Sequence, residues 1–390
     1  MAELTVYPET LRWAVRAAQV DPGAVSRREG LQNFPQWLER TDPISISFQK
    51  VHELSVALQT TFGALVRSVV PREQADELIQ YRTIENESVE PSKNLLDTIS
   101  MMRVRQTWAR DEKLQAGLGR NSLVGMLEST ASDEEIARAM VEALDLREGW
   151  AKGSDERVRF KQLKERASAR GLMVMVNSQV ESWRRKLDIE EFRAFALVDP
   201  IAPLIFINRN DSYSGMLFSL LHEIGHVLLG KPEIFNDGNN EPNRQEFERR
   251  INRAVLKSVM SDETFASAWQ QGLHKGLSEL ETANDLAQHY GLSALSFAIR
   301  ARQAGFSDEH LVDELREQML SNLSDKERNK AKGDGGNGNL TNGSRLDTGF
   351  VQLVQGSIER GALSYTDGFA LLGLKSERSY DALLRLKGLA

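Results

Sequence analysis

Apolar positions recur at helical spacing along most of the chain, and a few short runs depart from that rhythm. Leu11, Trp13–Ala14 and Ala17–Ala18 predict a first helix over 9–18, which Asp21-Pro22-Gly23 ends. Trp37 and Leu38 mark a second over Phe34–Glu39, and an amphipathic third follows Asp42-Pro43, from Phe48 to Leu58. Helix is also predicted around Leu95–Met102, with Arg103, Arg105 and Arg110 flanking it, and over Glu156–Ala169. Another covers Ile136–Leu144, behind the start signal Ser132-Asp133-Glu134-Glu135. The period then changes. Gly171–Val176, Phe192–Val198 and Pro203–Asn208 are apolar runs of strand length. The last two are separated only by Asp199-Pro200-Ile201-Ala202 and read as a hairpin. After a polar loop in which Ser212 or Ser214 can cap, Met216–Leu229 is apolar nearly all round, as in a buried helix, and Gly230-Lys231-Pro232 stops it.

Within that buried helix stand three polar residues, His222, Glu223 and His226, in an H-E-x-x-H arrangement. Side chains four apart leave the same helix face one turn above the other. Two neutral imidazoles so placed can hold one Zn²⁺, and Glu223 is positioned to act on the attacking water as general base. An apolar helix has no cheap use for three polar side chains unless something satisfies them. His52-Glu53 is a decoy, because Val56 occupies the place of the second histidine.

A catalytic zinc needs a third protein ligand and an open position. The next histidine after the motif is His274, so the candidates are carboxylates: Glu233, Asp237, Glu241, Glu246 and Glu248. Over Gln245–Met260 the apolar stripe is Phe247, Ile251, Ala254, Val255 and Val259. Glu246 shares its face with Arg250, Arg253 and Lys257, whereas Glu248 shares its face with Asn252, Val255 and Val259. The inward position selects Glu248, with Glu246 as the fallback; a helix-surface ion pair or a contact with Asn252 is the plain alternative.

Composition narrows the classes. The chain has 390 residues, 41% hydrophobic and 27% charged, enough for two or three domains with ordinary cores. Its zero cysteines exclude disulfides, thiolate catalysis and Cys-based zinc fingers, so a metal site has to be built from His and carboxylate. Neither a secretory leader nor a bilayer-length apolar run is visible, and a cytoplasmic location is expected. A net charge of −7 argues against indiscriminate nucleic-acid binding.

Leu217–Gly230, with Glu248-Arg249-Arg250-Ile251-Asn252-Arg253-Ala254, resembles the ImmA/IrrE family of zinc metallopeptidases, in which H-E-x-x-H precedes a helix carrying E-x-x-x-N and small residues. The resemblance places Glu248 at the glutamate completing the family's zinc site. The Arg184–Phe195 and Ile205–Arg209 stretches look like the strands before the motif in longer members, and Leu286–Phe306 like their closing helical segment. The region of Trp13 and Trp37 is similar to a degenerate helix-turn-helix part. Where the family commonly has a proline after the second helix, this chain has Met260-Ser261. The resemblance implies an intracellular peptidase that cuts a regulatory protein, such as a repressor of a mobile element or stress regulon, or an antitoxin-like partner.

The expected fold is therefore α+β and mostly helical, with a minimal zincin-like core of a small three-stranded sheet and the H-E-x-x-H helix. Expected divisions are 1–70 (helix-turn-helix-like), 71–154 (helical connection), 155–320 (peptidase core), 321–349 (charged, glycine-rich linker) and 350–390 (small helical module). His222, His226 and Glu248 are the expected Zn²⁺ ligands and Glu223 the catalytic residue. A sheet edge beside the site would accept an extended peptide. The competing expectation is a DNA- or partner-binding regulator with a structural or vestigial zinc site, whose DNA contacts would come from Arg12, Arg16, Arg27, Arg28 and Arg40.

Overall fold

The computed structural model of the chain describes residues 3–18, 20–58, 60, 65–66, 91–147, 149–153, 155–180, 185–230, 241–330 and 345–390, and side-chain statements exclude 17, 52, 56, 241–244 and 322–330. The chain divides into two compact units, residues 1–78 with 88–99 and residues 79–87 with 100–390.

The first unit carries the expected helices and two strands that the sequence reading missed. Strand β1 (Glu3–Val6) pairs antiparallel with β2 (Ile44–Ser47), Val6 opposite Ile44 and Glu3 opposite Ser47. Between them lie α1 (Pro8–Ala18), α2 (Pro22–Ser26) and α3 (Phe34–Glu39), and α4 (Phe48–Ala57) follows β2 directly. The Asp21-Pro22-Gly23 sequence starts α2 as well as ending α1, because Asp21 accepts hydrogen bonds from the Gly23 and Ala24 N–H groups. Val6, Leu11, Phe34, Trp37, Ile44, Val51 and Leu54 form its core. Each strand has only four residues, and the partner lies far along the chain, so no turn signal announced the pairing.

In the second unit, helix α5 (Lys93–Gln115, its residues up to Ile99 belonging to the first unit), α6 (Asp133–Ala143) and α7 (Glu156–Ala169) precede the sheet. Strand β5 (Leu204–Asn208) is central, parallel to β3 (Met173–Asn177) and antiparallel to β4 (Ala194–Leu197), as the hairpin reading required. Both faces are buried, which is why the runs are nearly continuous in apolar residues. Val174, Val176, Ala194, Ala196, Ile205 and Ile207 join the core around helix α8 (Tyr213–Leu229), while Phe195 and Phe206 stack at 5.2 Å on the opposite face.

Helix α8 starts at Ser212, whose side chain accepts from Gly215 N, and ends at Gly230 with φ 64°. Its last carbonyls are taken by a neighbouring turn segment: Gly125 N donates to Val227 O and Leu127 N to Leu228 O, each at 3.0 Å. A Cβ on Gly230 would stand 2.7 Å from the Gly125 Cα, so the backbone approach itself requires glycine there. Helix α9 (Glu241–Val259) crosses α8 and lies along α6. Arg253 Nε meets Asp133 at 2.8 Å, Lys257 pairs with Glu134, and Arg250 donates to Ser129 O at 2.7 Å.

Helices α10 (Asp262–His274), α11 (Glu279–Tyr290), α12 (Ala294–Gln303) and α13 (Glu309–Lys330) follow. Helix α13 runs through 321–330, the start of the stretch read as linker; residues 331–344 lie outside the described residues. The chain ends in α14 (Thr348–Glu359), α15 (Tyr365–Leu372) and α16 (Glu377–Lys387), which pack on the core: Asp347 accepts from Val174 N, and Phe350 meets Trp108 edge-on at 5.8 Å. Among the described residues no helix is long and apolar enough to cross a membrane.

Burial of Asp133 opposes its ionisation, but the hydrogen bond from Arg253 and the nearby Lys257 and Arg253 charges outweigh it and lower its pKa from 3.8 to about 2. A depressed carboxylate contributes stability above its unfolded pKa and loses it as pH falls through the folded one. Asp133→Asn should therefore cost on the order of 1 kcal/mol at neutral pH. In thermal melts at stepped pH, the gap from wild type should close between about pH 4 and about pH 2; a constant gap would show that Asp133 does not tie α6 to α9 through charge.

Candidate metal centre

Buried helix α8 presents both motif histidines on one side. His222 and His226 are each 1% exposed, their Nε2 atoms are 3.1 Å apart, and Glu223 is fully buried between them in sequence. Helix α9 crosses at Gly225. A Cβ there would lie 2.8 Å from Ile251 Cγ2 and 2.9 Å from Met140 Cε, so any larger residue would have to displace those side chains. The close crossing brings Glu248 to the imidazoles, with Oε2 3.1 Å from His222 Nε2 and Oε1 3.6 Å from His226 Nε2.

One donor atom from each of these three residues lies within 4.8 Å of the others. In a tetrahedral site with metal–ligand bonds of about 2.0–2.1 Å, neighbouring donor atoms stand about 3.3 Å apart. Distances of 3.1, 3.1 and 3.6 Å match that edge. Electrostatics agree with the donor set. Burial works against a charged His226, but the Glu248 and Glu223 carboxylates outweigh it and raise its pKa. Burial likewise opposes ionisation of Glu248, and His226 and His222 push it far below the usual carboxylate range. The pocket thus favours a cation between these atoms, and a divalent metal ion and protons compete for the same lone pairs.

His222 has a further partner on α9. Its Nδ1 lies 3.0 Å from Asn252 Oδ1, so Nδ1–H donates to the amide and Nε2 is left as the donor atom facing Glu248. Asn252 stands one helical turn after Glu248, a spacing that was visible in the sequence although its role was not. Gly225 was also missed; a glycine inside an otherwise large apolar helix is the signal that could have found it. Phe218 (ring centroid 6.4 Å from that of His222) and Phe247 (5.7 Å from that of His226) add apolar walls.

The remaining candidates are separated from this cluster. Glu246 is 58% exposed and pairs with Arg253 at 2.8 Å, as its polar face suggested. Glu233 and Asp237, like the side chain of Glu241, lie outside the described residues.

Comparison with known families assigns this arrangement to a class of proteins. Residues 174–302, from β3 almost to the end of α12, match the family described as Peptidase_M78, the IrrE N-terminal-like domain. This stretch is similar to that domain, which is consistent with the resemblance to the ImmA/IrrE family. No curated protein and no solved structure matches the chain. The domain is of a peptidase family and contains a His222–His226–Glu248 group able to hold a metal ion.

Two substitutions probe the centre. Asn252→Ala should weaken metal affinity by about 10–100-fold, read by chelator competition, with little change in melting temperature; unchanged affinity would remove Asn252 from the site. Gly225→Ala should cost about 1–3 kcal/mol through overpacking and lower metal affinity by forcing α8 and α9 apart. If it melts and binds metal like wild type, the crossing is not limited by that contact.

Proposed function

We propose that this protein is a zinc-dependent endopeptidase acting on a regulatory protein. The observation that carries the reading is the convergence of His222, His226 and Glu248 on one point in a buried pocket, within a domain of a peptidase family. Zn²⁺ held by those three residues would supply Lewis-acid polarisation of the scissile carbonyl and of a water molecule. His222 and His226 present their Nε2 atoms, Asn252 fixes the His222 ring, and Glu248 contributes the negative charge. Glu223 takes the proton from the attacking water and returns it to the leaving amine.

Strand β4 packs on α8, and Ala194 and Ala196, whose backbone groups turn away from β5, are buried, so this edge is covered rather than open to an extended peptide. The walls Phe218 and Phe247 favour an apolar side chain near the cut. The family resemblance supports a repressor or antitoxin-like protein as substrate, and the absence of cysteine suits a cytoplasmic one.

Glu223→Gln tests the mechanism. The variant should retain one zinc per chain while losing cleavage by at least about 100-fold. Co-expression with proteins encoded beside it, read for truncated products, supplies the substrate. Wild-type cleavage by the variant would overturn the role of Glu223. Zinc bound without any cleavage by the wild-type chain would instead favour a regulator with a structural site.

A further inference from the structure

Beside helix α8 runs a cleft that the chemistry of the metal centre does not use. It lies between residues 126–131 and α6 and has a volume of about 530 Å³, within the range of about 300–1,000 Å³ common to ligand clefts. One wall is fastened to α8 and α9, the helices of His226 and Glu248. Gly125 N and Leu127 N donate to Val227 O and Leu228 O, directly after His226, and Ser129 O accepts from Arg250. The Arg250 guanidinium also lies over the Phe247 ring, 5.3 Å from its centroid, and that ring stands 5.7 Å from the His226 ring. The cleft is therefore held at a fixed place relative to the metal centre.

On α6 the lining residues Glu135, Arg138, Ala139 and Glu142 form a single stripe at helical spacing, while Met140 turns toward Gly225 of α8. The floor is apolar: Ala131 and Ala139 are buried, Leu127 is half-buried and Met126 is 46% exposed. The rim is acidic. Glu128 and Glu142 are exposed, and neither side chain joins an ion pair or hydrogen bond among the described residues. Glu135 caps α6 through Ser132, with Arg138 beside it. The lining thus sets three carboxylates against one cation.

We propose that this cleft is a docking groove for a basic segment of the protein substrate. Lysine and arginine are the side chains that join an apolar stem to a charged head. Their stems suit the floor of Met126, Leu127, Ala131 and Ala139, and their heads suit the open carboxylates of Glu128 and Glu142. The unbranched, polarizable Met126 adapts to stems of differing shape. The assignment rests on the reading of the substrate as a repressor-like regulator, because a protein that binds DNA neutralises phosphates with a basic face. A groove of opposite sign, fastened to α8 and α9, engages that face while a neighbouring stretch of the same substrate reaches the metal. The attraction weakens as salt rises.

Fluorescence anisotropy of the full chain carrying Glu223→Gln, with a labelled peptide repeating Lys-Leu-Ala-Arg, tests this without cutting the probe. A control peptide with Glu in place of each Lys and Arg should not bind. Adding Glu128→Gln and Glu142→Gln should weaken binding of the basic peptide at least about 5-fold at low salt, and less as salt rises. Melting temperature and metal content should stay unchanged, since both side chains are exposed. Met126→Lys, which sets a cation on the floor, should weaken binding in the same way. Glu263→Gln with Glu317→Gln removes as much charge outside the cleft and should leave the affinity as it was. The proposal is overturned if the basic peptide does not bind, if the acidic one binds as well, or if neutralising Glu128 and Glu142 weakens binding no more than neutralising Glu263 and Glu317. Failure of the peptidase reading would look different: the wild-type chain would cut no protein, yet the basic peptide would still bind through Glu128 and Glu142.

Discussion

The site depends on one steric constraint, the absence of a side chain at Gly225. Two helices packed through ordinary side chains stand about 8–10 Å apart, and a carboxylate on one then reaches imidazoles on the other only with difficulty. At Gly225 the neighbouring helix places Ile251 where a Cβ would be. Glu248, one turn earlier on that helix, arrives beside both histidines, and Asn252, one residue after Ile251, arrives behind His222. The positions of Glu248, Asn252 and the close contact are therefore all set by a single helix crossing, held from outside by Arg253 and Lys257 on Asp133 and Glu134 of α6.

The same crossing fixes the electrostatics. Two imidazoles and a carboxylate in a buried pocket would be costly if nothing positive lay between them. The raised His226 and depressed Glu248 pKa values express that demand as an affinity for protons. A divalent cation meets the demand with a larger charge and a geometry that the donor spacing matches. The pocket is therefore preorganised by the fold.

The C-terminal helices are held by the core through backbone-directed contacts, Asp347 to Val174 N and Arg105 to Leu371 O. Such contacts fix position without using the solvent-facing side chains of α16.

Much of this was legible in the sequence. Periodicity identified the helices over 34–39, 48–57, 93–115, 133–143 and 156–169, and the three apolar runs gave the sheet with its hairpin. The H-E-x-x-H spacing chose His222 and His226, because an i, i+4 pair is decided by the helix alone. The face argument chose Glu248 over Glu246, since amphipathic patterning states which side chains turn inward. What the sequence could not state were contacts between segments far apart along the chain. The β1–β2 pairing has no turn to announce it, and the role of Asn252 depends on where His222 ends up. Hydrophobic period locates helices without giving the angle or the partner of each. Local spacing determined which residues share a helix face; the crossing of α8 and α9, close at Gly225, decided that His222, His226 and Glu248 meet.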